Sequence, residues 1–107
     1  MIEVTYWRRL HRVTVVGHAG SAEHGHDLVC AAASALAYTL ADNVNELHKT
    51  GAVKNTVLQV KEGCTEISCT PNRKMRSVVL LVYDTVCRGF WMLEENHPEH
   101  VRYTVMG

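Results

Sequence analysis

An excess of charge of either sign is missing from this chain. Eleven Lys and Arg stand against eleven Asp and Glu in 107 residues, so the domain as a whole lacks the basic footprint of a nucleic-acid binder. Arg8, Arg9, His11 and Arg12 form the one local cluster of note, and so short a run reads as a solvated hairpin turn. An aromatic stacking motif on a strand, as a small RNA-binding domain would carry, is lacking too. No window is long and apolar enough to span a bilayer. The opening Met1-Ile2-Glu3-Val4-Thr5 has neither the basic nor the apolar region of a secretory leader. These absences argue against membrane and nucleic-acid partners and point to the cytoplasm, where thiols stay reduced. The four cysteines, at 30, 64, 69 and 87, match no metal ribbon and no secreted disulfide scaffold. Cys64, Cys69 and Cys87 are expected to be small, partly buried packing residues. With no internal repeat and no linker, 1–107 is expected to fold as one domain.

What is present is clear periodicity. Ile2, Val4 and Tyr6 alternate with Glu3, Thr5 and Trp7, the pattern of a half-buried strand. A second run over 12–16 follows a short basic turn, which predicts a hairpin. Residues 17–26 lose all periodicity and hold three glycines, Gly17, Gly20 and Gly25, with three histidines. A loop this long in so small a chain points to function or mobility. Asp27 is expected to cap a helix over 27–49, since its carboxylate suits orphan backbone N–H groups. Val29, Ala33, Leu36, Leu40, Val44 and Leu47 form its core stripe, and Gly51 ends it. Cys30, Ser34, Ala37 and Ala41 make a face of small residues that another backbone could approach. Strands over 56–60 and 65–69 flank a two-residue turn, Glu62-Gly63. Pro71-Asn72 then breaks the pattern before a helix over 74–96 with the stripe Met75, Val79, Val82, Val86, Phe90 and Leu93. Leu80, Tyr83, Cys87 and Trp91 widen its apolar surface, so it needs cover on two sides, from the sheet and from the first helix or a second subunit. Val101, Tyr103 and Val105 close the chain as a last strand. The order ββαββαβ predicts an α+β fold, a mostly antiparallel sheet of about five strands with two helices packed on it.

The chemistry gathers in 17–34. His18 is a potential base at the end of a strand, and Cys30 is a potential nucleophile near the start of a helix. Unsatisfied N–H groups and the helix dipole favour negative charge there, and a paired imidazolium would favour a thiolate further. Backbone N–H groups around Cys30 are candidates for an oxyanion hole. His18, His24, His26 and Cys30 are alternatively a zinc set, although their spacing fits no standard closed site. Asp27 has two readings, cap or orienting carboxylate for His18. Ser34, one turn beyond Cys30, either hydrogen-bonds near the thiol or simply packs.

The segments Gly17-His18-Ala19-Gly20, Ala22-Glu23-His24-Gly25 and Asp27-Leu28-Val29-Cys30-Ala31-Ala32, with Ser34, resemble the signature of the ribosomal-processing cysteine protease family, Prp. The resemblance is dense over these eighteen residues, and element order and length extend it over the whole chain. It implies a catalytic dyad of His18 and Cys30, with no metal or other cofactor. Asp27 and Ser34 match recurring positions of less defined role, while His26 departs from many relatives and receives no catalytic part. The resemblance further implies removal of an N-terminal extension from a large-subunit ribosomal protein whose N-terminal arm reaches towards the peptidyl-transferase centre. Cleavage would follow an aromatic residue, a homodimer would form, and the loop with Gly17, Gly20 and Gly25 would move to cover the peptide. The competing reading from another class is a non-catalytic ribosome-assembly factor that binds the same protein arm.

Overall fold

The computed structural model describes residues 1–18 and 26–107, the side chains of His26 and Asp27 excepted. Strands β1 (Ile2–Trp7) and β2 (Arg12–Gly17) form the expected hairpin around a 3-10 turn at Arg8–Leu10. Helix α1 (His26–Lys49) leads to β3 (Val53–Lys61) and β4 (Cys64–Pro71). A second 3-10 turn, Arg73–Met75, precedes α2 (Arg76–Asn96), and β5 (Val101–Met106) ends the chain. The predicted order ββαββαβ is the observed one. The sheet runs β3-β4-β2-β1-β5, and all pairs are antiparallel except β1 with β5.

Alternation decides which side of the sheet is covered. Ile2, Val4, Tyr6, Val13, Ile67, Cys69 and Val101 point to the helices and are buried. Val29, Ala33, Leu40 and Val44 of α1 meet them, as do Val79, Tyr83, Val86 and Phe90 of α2. Leu40 and Phe90 are fully buried, and burial of such a side chain contributes about 1.5–3 kcal/mol. The other sheet face carries no helix and is laced by charge. Arg12 stacks over Trp7 at 4.5 Å and pairs with Glu66 at 3.0 Å, while Arg102 approaches Glu3 at 3.4 Å.

Several expectations shift in detail. The close helix–helix approach occurs at Gly89, where an added Cβ would lie 2.5 Å from Cδ2 of Leu36, rather than along the small face of α1. Of that face, Ala37 and Ala41 are buried in the core. The sheet and α1 cover α2, with Tyr83 and Cys87 inside, yet Val78, Leu81 and Met92 remain exposed. Strand β3 starts earlier than 56 because a register irregularity between Lys54 and Val57 interrupts its alternation, with Asn55 at φ 51. Cys64 is exposed, unlike the buried Cys69 and Cys87, because it sits at the tip of the β3–β4 hairpin.

Candidate active site

Three segments converge at the pole of the sheet where β2 ends. Gly17 is the last residue of β2 and pairs with Ile2, so it belongs to the framework and not to a loop. Its N–H donates to the carbonyl of Gly63 at 2.9 Å. Its φ is +101, and a Cβ there would fall 2.3 Å from the Met1 carbonyl oxygen, so only glycine fits. His18 follows directly, its carbonyl accepting from the Met1 amine at 2.5 Å. The His18 imidazole lies over the β3–β4 turn, where a Cβ on Gly63 would stand 2.7 Å from its Nε2. Glycine at 63 therefore does two things: it holds the turn at φ +78 and leaves the space that the imidazole occupies.

Helix α1 brings the thiol. It begins at His26, so Asp27 stands in the first turn and not at the cap position expected of it. Cys30 is the fifth helical residue, where its own N–H lies within the intrahelical ladder; the orphan donors belong to the four residues before it. The expectation that N–H groups around Cys30 form an oxyanion hole therefore narrows to the turn that precedes it. Half-buried Cys30 and exposed His18 line one cleft of about 360 Å³ together with Ser34, Tyr38, Val60 and Lys61. Ser34 and Tyr38 extend from Cys30 at steps of four, on one helix face. That spacing was the signal for Tyr38, a ring 61% exposed that the sequence reading passed over. Nothing local announced Val60 and Lys61, which reach the cleft because β3 turns back beside β2 and β4.

Gly20, Gly25 and His24 lie outside the described residues, as does the mobile-loop expectation. The same holds for the side chains of His26 and Asp27. Among the described residues, no group of three or more His, Cys, Asp or Glu is placed to hold a metal ion. The four cysteines form no disulfide. A thiol and an imidazole that line one open cleft are the groups needed for nucleophilic attack on a carbonyl with proton transfer by the ring.

The model of the family described as cysteine protease Prp matches residues 1–102. The chain belongs to the Prp family of cysteine proteases. The Prp fold recurs in SMU.848 from Streptococcus mutans, whose crystal structure is 33% identical over 99% of this chain and 94% of that one, with a TM-score of 0.74. It recurs in the essential ribosomal processing protease Prp from S. aureus, solved in complex with a substrate peptide, at 22% identity, 98% and 97% coverage and a TM-score of 0.70. A second S. aureus Prp structure, with a covalently linked product peptide, is 23% identical over the same shares of the two chains, again at 0.70. No curated protein matches the chain. Membership of the Prp family makes the chain a cysteine protease and removes the ground for a non-catalytic assembly factor.

Proposed function

We propose that this protease removes the N-terminal extension of a large-subunit ribosomal protein, the one whose N-terminal arm reaches towards the peptidyl-transferase centre, cutting after an aromatic residue. Cys30 is the nucleophile and His18 the proton carrier. The observation that carries the reading is that one cleft is lined by both residues, twelve positions apart in sequence, His18 just past the end of β2 and Cys30 within α1. The S. aureus relative, processing a ribosomal substrate and linking covalently to a product peptide, supports the same chemistry in this fold.

The sequence of events follows from the two groups. His18 takes the thiol proton, and the Cys30 sulfur adds to the scissile carbonyl carbon. The C–N bond breaks as His18 returns the proton to the departing amine, which leaves a thioester on Cys30. Water then adds to the thioester with His18 as base, and the acid and the thiol are released. Ser34 lines the wall one turn beyond the sulfur, where its hydroxyl is a hydrogen-bonding neighbour for the peptide or the thiol. Asp27 in the first turn of α1 is the candidate to orient His18. Because β3 is an edge strand and Val60 and Lys61 line the cleft, an extended peptide has a sheet edge beside the thiol on which to pair. The glycine-rich segment with Gly20 and Gly25 is the candidate cover for that peptide. A homodimer in the cytoplasm, built from one domain per chain, completes the reading; the exposed Leu81 and Met92 of α2 give a second copy something to bury.

Mass spectrometry of a peptide spanning the extension provides the test. Wild-type protein is expected to yield one cut after an aromatic residue, and Cys30→Ala and Cys30→Ser none, with their thermal unfolding unchanged. Turnover by either variant would overturn the assignment of the nucleophile.

A further inference from the structure

Zero net charge conceals an uneven distribution. Strands and helices run up and down, so the connections 7–12, 49–54 and 71–76 all emerge at the pole opposite the catalytic cleft. Those three segments contain eight of the eleven Lys and Arg and no Asp or Glu. At the cleft pole the turns 61–64 and 94–101 carry Glu62, Glu94, Glu95 and Glu99 against a single Lys61. The short cluster Arg8-Arg9-Leu10-His11-Arg12, a bland turn when read along the chain, thus gains a neighbouring cationic segment from the start of α2.

An open cleft of about 310 Å³ lies between the β1–β2 turn and α2, lined by Arg8, Arg9, His11, Arg76 and Leu80. Arg8 is committed to Asp84 through bonds of 3.1 and 2.9 Å. Arg9, Arg73, Lys74 and Arg76 are exposed, and among the described residues no ion pair engages any of them. No side chain caps the start of α2 at Met75, so the positive end of that helix adds to the same field. His11 senses it: burial first, then Arg76 and Arg8, hold its pKa below the ordinary histidine value.

We infer that this pole binds the phosphate groups of an RNA backbone through Arg9, Arg73, Lys74 and Arg76. The guanidinium fork matches phosphate geometry, and cations spread over several connections suit a chain of phosphates better than one small anion. The choice of RNA over other polyanions rests on the proposed function, whose substrate is a component of a ribonucleoprotein particle. Contact at this pole leaves the peptide cleft, at the other, unobstructed.

Fluorescence anisotropy of the full chain with a labelled 20-nucleotide single-stranded RNA tests the site. Four phosphate contacts predict a salt slope of about −2.8, a loss of about 50-fold in affinity between 50 and 200 mM salt. Arg9→Glu/Arg76→Glu is expected to lower affinity more than tenfold at 50 mM salt and to leave cleavage of a short peptide within about twofold. Glutamate at 76 suits a helix N-terminus, and Arg73→Gln/Lys74→Gln offers a milder second variant, expected to halve the salt slope. Absence of RNA binding at 50 mM salt would overturn the site, as would binding indifferent to both variants. Tighter binding to phosphatidylglycerol vesicles than to RNA would overturn it too, in favour of a membrane surface. Peptide cleavage without RNA binding sinks this site alone; RNA binding without cleavage sinks the reading of the cleft alone.

Discussion

A single methyl group at position 63 separates a structural role from a catalytic one. In Gly63→Ala the new Cβ would meet Nε2 of His18 at 2.7 Å and Cε1 at 3.0 Å, where ordinary contact begins near 3.4 Å, so the ring must retreat by about 0.7 Å. The backbone cost is separate: alanine at φ +78 is strained by about 1–2 kcal/mol. Gly51 supplies the control, because its φ is +79 and nothing lies within 4 Å of its Cβ position. Gly51→Ala and Gly63→Ala are expected to lose similar stability, about 4–8 °C in Tm for each kcal/mol in a domain of this size. Only Gly63→Ala is expected to lose kcat/KM in the peptide assay, by about 10- to 100-fold, since displacing a reacting group by a fraction of an ångström to an ångström costs rates of that order. Calorimetry and mass-detected cleavage read the two effects independently. A Gly63→Ala protein that cleaves as fast as Gly51→Ala would refute the placement of His18 in the chemistry.

Native-state alkylation with iodoacetamide is expected to modify Cys64 and Cys30, and to reach Cys69 and Cys87 only on unfolding. Those two are 4% and 2% exposed, and burial pushes Cys87 up to about 12. Peptide mapping identifies the sites, and Cys64→Ser should be inactivated as fast as the wild type if activity follows Cys30. His11 predicts a pH effect on stability. Its folded-state pKa lies below the ordinary value, chiefly through burial, so the unfolded chain takes up the proton first. The stability it contributes is full above about pH 6.5 and is lost as pH falls below that towards the folded value. Urea unfolding from pH 8 to pH 5 should show that fall in the wild type and a smaller one in His11→Asn, a residue that tolerates the left-handed φ of 49 at this position. Equal slopes would remove His11 from the account.

The parts of the fold that could be read along the chain are those with local causes. Alternation in β1 and β2, the stripes of α1 and α2 and the glycine turn at 63 each depend on near neighbours, and each stands where it was expected. The misplacements have non-local causes. Val53 and Lys54 join β3 because β4 offers Pro71 and Thr70 as partners across an irregular register, and Cys64 is exposed because a hairpin tip has no layer above it. The same division holds in the site. His18, Cys30 and Ser34 were legible from spacing and motif, and the structure gathers them in one cleft. Lys61 and Val60 were not, since only the return of β3 and β4 brings them there. The basic pole is the extreme case, three short connections separated by some twenty to forty residues that topology alone unites.

The parallel pairing of β1 with β5 has a consequence for the order of manufacture. Every described residue that lines the cleft of Cys30 and His18 lies at or before Thr65, so the thiol, the imidazole and their walls are all synthesised ahead of β5. Strand β1, however, waits for its second neighbour until 101–106 exists, and Tyr6 waits for Asp84, which accepts its hydroxyl at 2.8 Å. A chain stopped before Val101 would hold the whole cleft and still present the open edge of β1, a row of unpaired N–H and C=O groups next to the buried faces of Val4 and Tyr6. Such an edge pairs with other chains. Products that lack β5 are therefore expected to aggregate rather than to act as stray proteases, so that β5 serves as a check on folding for chemistry encoded ahead of it.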